Sequence, residues 1–224
     1  MKLTVLGKFG PYAAAGGATS SYLVRGKTDA IVLDFGSGAL SRLQQHTDIA
    51  AVRAIVLSHL HNDHICDLLP LSYLLQARNA TLNVIAPAYD CPQQTFLQTL
   101  GGLRFTPLQD ELQVGEFSLS FARMVHPLDS YAIKVRQADK TLCYSGDTSF
   151  CPQLPDFAAG SDLLLLDCGK PENTAAPHLS LQEAAFLADS LHVHAVASHL
   201  NPALIYRSPS PLVAIAEEGK TYEV

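Results

Sequence analysis

One seven-residue segment constrains this chain more than any other: Ser58-His59-Leu60-His61-Asn62-Asp63-His64. It holds four side chains able to ligate a metal within six positions, and it follows directly on Ala54-Ile55-Val56-Leu57, an apolar run of the kind a buried strand carries. A fold that ends a buried strand in three imidazoles and a carboxylate must deliver them to a sheet edge. His59 and His61 are two apart and share a face while the chain stays extended. Asp63 and His64 stand where strand gives way to helix, so a turn can aim them at a second nearby point. One short loop could therefore serve two adjacent cations. Imidazole and carboxylate together suit zinc, iron and manganese.

Further ligand types wait at the ends of other predicted strands. His126 follows Arg123-Met124-Val125, Asp147 follows Tyr144-Ser145-Gly146, and His199 follows Ala195-Val196-Ala197-Ser198. Singly these read as a satisfied histidine, a turn aspartate and a polar strand end. With the His-rich loop they make seven ligand-capable residues at strand ends. Ala54 to Leu60 and Ala195 to Leu200 also echo one another, each an apolar strand ending in Ser-His-Leu. The echo points to two similar sheet halves, each delivering a histidine to a shared edge.

The remaining pattern is mixed. Strands are predicted at Leu3 to Leu6, Ser21 to Val24, Ala30 to Leu33, Leu82 to Ala86, Phe117 to Arg123, Tyr131 to Val135, Thr141 to Tyr144 and Leu163 to Leu166. Gly26-Lys27-Thr28-Asp29 forms a hairpin turn. Helices are predicted near Leu40 to Gln44, over Ile65 to Gln76 and over Leu181 to Leu191. The last is opened by a Ser180/Glu183 capping box. This alternation suggests stacked α/β layers with functional groups on loops beyond the strand ends. Residues 1–224 show no linker or low-complexity stretch and read as one domain. With 15 basic and 21 acidic residues the net charge is −6, which excludes a phosphate-gathering basic module. Apolar runs span only a few residues, against roughly 20 for a membrane helix. Lys8 interrupts the short apolar stretch at the N-terminus, which is a poor export signal. The five cysteines are widely spaced and lack a Cys-x-x-Cys, so free thiols in the cytoplasm are expected.

The series His-x-His-x-Asp-His, a lone His, Gly-Asp-Thr and a final His resembles the metallo-β-lactamase superfamily, in order and spacing from Met1 to about Pro202. The resemblance implies a four-layered αββα sandwich of α/β (α+β) class, with a metal site at one edge of two sheets. It implies two divalent cations, zinc first and manganese or iron otherwise. His59, His61 and His126 would hold one; Asp63, His64 and His199 would hold the other; Asp147 would bridge them. The implied reaction is hydrolysis by a hydroxide shared between the cations, with Asp63 aiming it.

Within the superfamily the chain is most similar to the ribonuclease Z-like branch. The resemblance rests on the Gly7 loop running into Ser20-Ser21-Tyr22-Leu23, on Pro127-Leu128-Asp129-Ser130-Tyr131, and on His178-Leu179-Ser180 ahead of the last helix. There the equivalent of His178 pairs with an acidic residue and helps protonate the leaving oxygen. Asp167 falls near the acidic position, although the branch more often has glutamate preceded by histidine, and here Leu166 precedes it. The Gly- and Pro-rich arm that clamps tRNA is absent between His64 and His126. With the negative charge this disfavours tRNA and favours a small-molecule or short nucleotide phosphodiester. Lactone or thioester hydrolysis, an iron-dependent redox reaction and a non-catalytic binding module are the alternatives. Branch members often form homodimers, and Tyr12, Tyr73 or Leu204 could serve such a contact. Gly26-Lys27-Thr28 and Gly219-Lys220-Thr221 mimic the end of a phosphate loop but lack its first glycine. His46, His192 and His194 are expected on the surface, Cys66 and Cys168 as packed thiols, and Arg207 as either an anion contact or a solvated cation.

Overall fold

The strand pattern carries apolar residues on both faces. In Ala30–Phe35, Ile31 and Leu33 face one apolar cluster while Ala30 and Val32 face another, and all four are buried. Leu163–Asp167 repeats this, with Leu163 and Leu165 in one cluster and Leu164 and Leu166 in another. Strands covered on both sides belong to central layers. A computed structural model, which describes residues 1–88, 91–172 and 174–224, shows two such layers packed face to face.

The first sheet holds β1 (Lys2–Gly7), β2 (Ser21–Arg25), β3 (Ala30–Phe35), β4 (Val52–Val56), β5 (Leu82–Ala86) and β6 (Leu103–Pro107), with β14 (Thr221–Glu223) beside β1. The second runs β7 (Glu111–Val114), β8 (Phe117–Arg123), β9 (Tyr131–Gln137), β10 (Lys140–Tyr144), β11 (Leu163–Asp167), β12 (His194–Ser198) and β13 (Val213–Ile215). From β3 to β6 and from β10 to β13 the neighbours are parallel. Leu3, Tyr22, Leu33, Val56, Phe117, Ile133 and Leu165 fill the space between the sheets.

The outer face of the first sheet packs α1 (Ala39–His46), α2 (Asn62–Ile65), α3 (Leu68–Ala77) and α4 (Pro92–Leu97), through Leu43, Ile65, Leu71, Leu75 and Leu97. The second sheet packs α5 (Gln153–Ala158) and α6 (Leu181–Leu191) through Leu154, Ala184 and Leu187. Helices, two sheets and helices make the expected αββα sandwich. The Ser180/Glu183 capping box opens α6 as predicted, with Glu183 N–H 3.2 Å from Ser180 Oγ.

One helix differs from its sequence reading. The segment read as a single helix from Ile65 to Gln76 is two, broken at Cys66-Asp67. Pro70 has no N–H to bond back to Cys66, so the chain restarts and places the proline in the first turn of α3, where no donor is needed. Asp67, at the break, accepts a hydrogen bond from Leu40 N–H at 2.8 Å and ties α3 to α1. Tyr12, Tyr73 and Leu204 are exposed. The Gly26-Lys27-Thr28 segment joins β2 to β3, and Gly219-Lys220 leads into β14.

Candidate metal centre

In a parallel sheet the carboxyl ends of the strands form one edge, where ligands bind. Here both sheets use that edge together. β4 leads into His59 to His64, β10 into Asp147 and β12 into His199, while β11 ends on Asp167 and the chain beyond β8 brings in His126. The two Ser-His-Leu ends thus lie one on each sheet, with His59 and His199 both buried.

The side chains form three overlapping groups, the third of them Asp147, Asp167, His178 and His199. His59, His61, His126 and Asp147 offer ligand atoms that all lie within 4.8 Å of one another, and so do Asp63, His64 and His199. In the first group His61 Nδ1 is 2.9 Å from His59 Nε2 and 3.1 Å from His126 Nε2. In the second, Asp63 Oδ2 lies 3.1 Å from His199 Nε2 and 3.5 Å from His64 Nε2. Asp147 Oδ2 stands between the groups, 3.6 Å from His59 Nε2, 3.3 Å from His64 Nε2 and 3.2 Å from His199 Nε2.

Contacts behind the rings decide which nitrogens face inward. Ser58 donates from both N–H and Oγ to Asp34, at 2.7 and 2.8 Å. Its hydroxyl proton is therefore used, and His59 Nδ1, 3.0 Å away, must be the donor to Ser58 Oγ. His64 Nδ1 donates to Asp34 Oδ2 at 2.7 Å, and His126 Nδ1 to the Pro177 carbonyl at 2.9 Å. Each bond occupies Nδ1 and turns Nε2 inward, the outer support that ligating histidines need. His64 Nε2 and Asp147 Oδ1 are buried with no hydrogen-bond partner in the protein. Buried polar atoms without a partner, beside imidazole nitrogens about 3 Å apart, are a donor set that fits cations.

The electrostatics divide along the same line. Burial, with the neighbouring imidazoles adding, holds His59 well below its usual value, and burial likewise lowers His61 and His126. These three stay neutral. Burial also pulls on His64 and His199, but the surrounding carboxylates, Asp147 foremost, outweigh it. His64 rises well above its usual value and His199 to about 10. Burial would raise Asp63 and Asp147, yet charged His64 and His199 bring both below the ordinary carboxylate range. Without metal, protons on His64 and His199 balance the charge that cations would balance.

His178 and Asp167 form the adjoining pair. His178 Nδ1 lies 2.9 Å from Asp167 Oδ2, and the His178 ring stacks on His199 with centroids 4.8 Å apart. Burial lowers His178, but the hydrogen bond and charge of Asp167 prevail and raise it; the same contact holds Asp167 down against its own burial. Gly169 N–H and Thr148 N–H complete the Asp167 carboxylate, at 2.9 and 3.1 Å.

Two residues not singled out from sequence belong to this architecture. Asp34 is fully buried and accepts from Ser58, His64 and, at 2.6 Å, Tyr144 Oη. Its signal was a carboxylate closing a buried strand, the same strand-end position as its partners. Its φ of 54° is a left-handed conformation that its hydrogen bonds hold in place. Gly10 lies flat against His199: a Cβ there would sit 2.0 Å from Nε2. Elsewhere, His192 and His194 are exposed and His46 half-buried. Cys168 packs in the outer core beside α6, and Cys66 joins no ligand cluster among the described residues. Among the described residues no helix is long and apolar enough to cross a membrane.

A family model described as "Metallo-beta-lactamase superfamily" matches residues 14–191. The protein of Bacillus subtilis described as "Probable metallo-hydrolase YhfI" is 32% identical over 200 residues, covering 84% of this chain and 82% of that one. The YhfI crystal structure superposes with a TM-score of 0.90 at 28% identity over 99% of both chains. Human tRNase Z, short form, shares the fold with a TM-score of 0.81 at 17% identity, over 100% of this chain and 99% of that chain. A diphosphatase from the PhnP family does so at 0.74 and 20%, over 100% and 97%.

Proposed function

The chain belongs to the metallo-β-lactamase superfamily, and from that premise we propose that it is a two-metal phosphodiesterase. It is a metallo-hydrolase with a His/Asp metal-binding cluster. The ions would be two, zinc first with manganese or iron next, and the bond broken would be a phosphodiester. His59, His61 and His126 would hold one cation, Asp63, His64 and His199 the other, and Asp147 both. Cations held there would lower the pKa of water and stabilise the attacking and leaving oxygens. Five unpaired cysteines suit a reducing compartment, and the proposal places the protein in the cytoplasm.

The observation that carries this reading is the His178–Asp167 hydrogen bond of 2.9 Å beside the cluster. A phosphodiester leaves an alkoxide, which needs a proton. Asp167 engages Nδ1 and favours the charged ring, so His178 holds a proton on Nε2 for the leaving oxygen. Asp63, partly open to solvent, accepts the hydrogen bond of the attacking water and aims it. A tRNase and a diphosphatase among the structural neighbours support phosphoryl compounds as the leading substrate class.

The test is metal content by elemental analysis, paired with hydrolysis of bis-p-nitrophenyl phosphate before and after chelation. About two zinc or manganese ions per chain and chelator-sensitive turnover are expected. Two ions without turnover would move the substrate to a lactone or thioester, and bound iron would favour a redox reaction. His178→Ala should slow an alkyl diester about 10²–10⁴-fold. It should slow a nitrophenyl ester far less, because nitrophenolate departs without a proton.

A further inference from the structure

A cavity of ≈ 500 Å³ opens between three loops that leave the cluster. Its lining includes Lys170, Leu181, Leu204, Ile205, Tyr206 and Arg207. Each wall begins at a residue of the centre. Lys170 lies three residues beyond Asp167, Leu181 three beyond His178, and the segment from Leu204 to Arg207 follows His199. The walls are tied to the centre as well. Gly169 presses on His199, where a Cβ would lie 2.8 Å from Nδ1. Lys170 N–H donates to the Leu179 carbonyl at 3.0 Å, and Asn201 N–H to Tyr206 Oη at 2.9 Å. Burial pushes the Tyr206 hydroxyl up to about 12.

Two features of the lining are unmatched. Ile205 is 90% exposed and Leu204 37%, so apolar surface stands uncovered. Arg207 makes no hydrogen bond or ion pair among the described residues, in a chain of net charge −6. The other charges around the cavity are engaged: Lys170 Nζ is 2.8 Å from Glu183 Oε2, and Glu172 accepts from Gln182 N–H at 3.1 Å.

We propose that this cavity is the leaving-group subsite, selecting esters whose departing half joins an apolar or aromatic body to a negative charge. The inference rests on the phosphodiester reading above. That reading makes His178 the donor to the leaving oxygen, and the cavity begins where the loop carrying His178 enters α6. The body would lie on Leu181, Leu204, Ile205 and Tyr206, and the anion on the Arg207 fork, which matches carboxylate or phosphate. The volume falls in the range of small-ligand pockets.

Two substrates test this on the metal-loaded full chain: methyl 4-nitrophenyl phosphate and methyl 3-carboxy-4-nitrophenyl phosphate. Each expels only its aryl oxygen, and they differ by one carboxylate. The carboxylated ester should show a KM lower by about tenfold with similar kcat, and Arg207→Glu should abolish that advantage. Leu204→Ser should weaken both esters alike. Both positions are exposed, so the variants should keep the wild-type Tm. Equal KM values for the two esters, or an advantage that survives Arg207→Glu, would overturn the subsite. Failure of the phosphodiester reading is seen separately, as absent turnover of bis-p-nitrophenyl phosphate, and removes the leaving-group role. Titration of the two free phenols then decides whether the cavity binds such a ligand at all. Tighter binding of 3-carboxy-4-nitrophenol to wild type than to Arg207→Glu supports the site, and equal affinity refutes it.

Discussion

His199 is enclosed on every side by other parts of the centre. Its ring stacks between His64 and His178, with centroids at 5.3 and 4.8 Å, and Gly10 and Gly169 close the remaining sides. A methyl at Gly10 cannot coexist with Nε2 in place. Gly10→Ala should therefore lower Tm in the wild-type background but have little effect in a His199→Ala background, where the space is free. A thermal double-mutant cycle measures that coupling without reference to metal, and equal losses in both backgrounds would show that Gly10 acts elsewhere. Asp34 offers a second residue-level prediction. Its carboxylate orients His59 through Ser58 and His64 directly, and Asp34→Asn turns one acceptor oxygen into a donor. Metal affinity should fall about 10–100-fold, measured by competition with a chelator.

At the scale of elements, the two sheets are also clasped at the end of β3 opposite Asp34. Glu116, in the β7–β8 turn, accepts Thr28 N–H and Asp29 N–H of the β2–β3 turn, both at 2.8 Å, while Asp29 Oδ2 accepts Glu116 N–H at 3.1 Å. These backbone donors pull Glu116 from 4.5 to about 2. A depressed carboxylate stabilises the fold fully above its unfolded value, and that contribution is lost as pH falls through the folded one. Glu116→Gln should therefore be less stable than wild type at pH 6 and approach it as pH drops from about 4.5 toward 2, read from urea midpoints. The sequence could not reveal such a clasp, since it joins positions 87 and 88 residues apart. What was legible was local: continuous apolar runs for strands buried on both faces, the capping box of α6, and the ligand loop after β4. The three-residue strands β13 and β14 carry too little pattern to be read, and the break before α3 needed the consequence of Pro70 to be followed back one turn. Asp34 and Gly10 escaped because one lies 24 and 30 residues from its partners and the other touches a ring at the far end of the chain.

For the whole molecule, the centre joins the halves. His59 to His64 come from the first sheet, and His126, Asp147 and His199 from the second. In the metal-free chain His64 and His199 carry protons at neutral pH, and cations must displace them. Metal loading at pH 7 should release about two protons per chain, measured by calorimetry in buffers of different ionisation enthalpy. In the metal-free chain both values are raised. The stabilisation these histidines give is present below 6.5 and lost as pH rises through them, near 10 for His199, so that form should be more stable at pH 6 than at pH 10. The order of residues along the chain adds a temporal consequence. During synthesis the first-sheet loop leaves the ribosome more than 130 residues before His199, so an emerging chain carries imidazoles and carboxylates that have no completed site to enter. Only when β12 has docked can the second group close, which makes full metal occupancy a chemical record that the last third of the protein has folded.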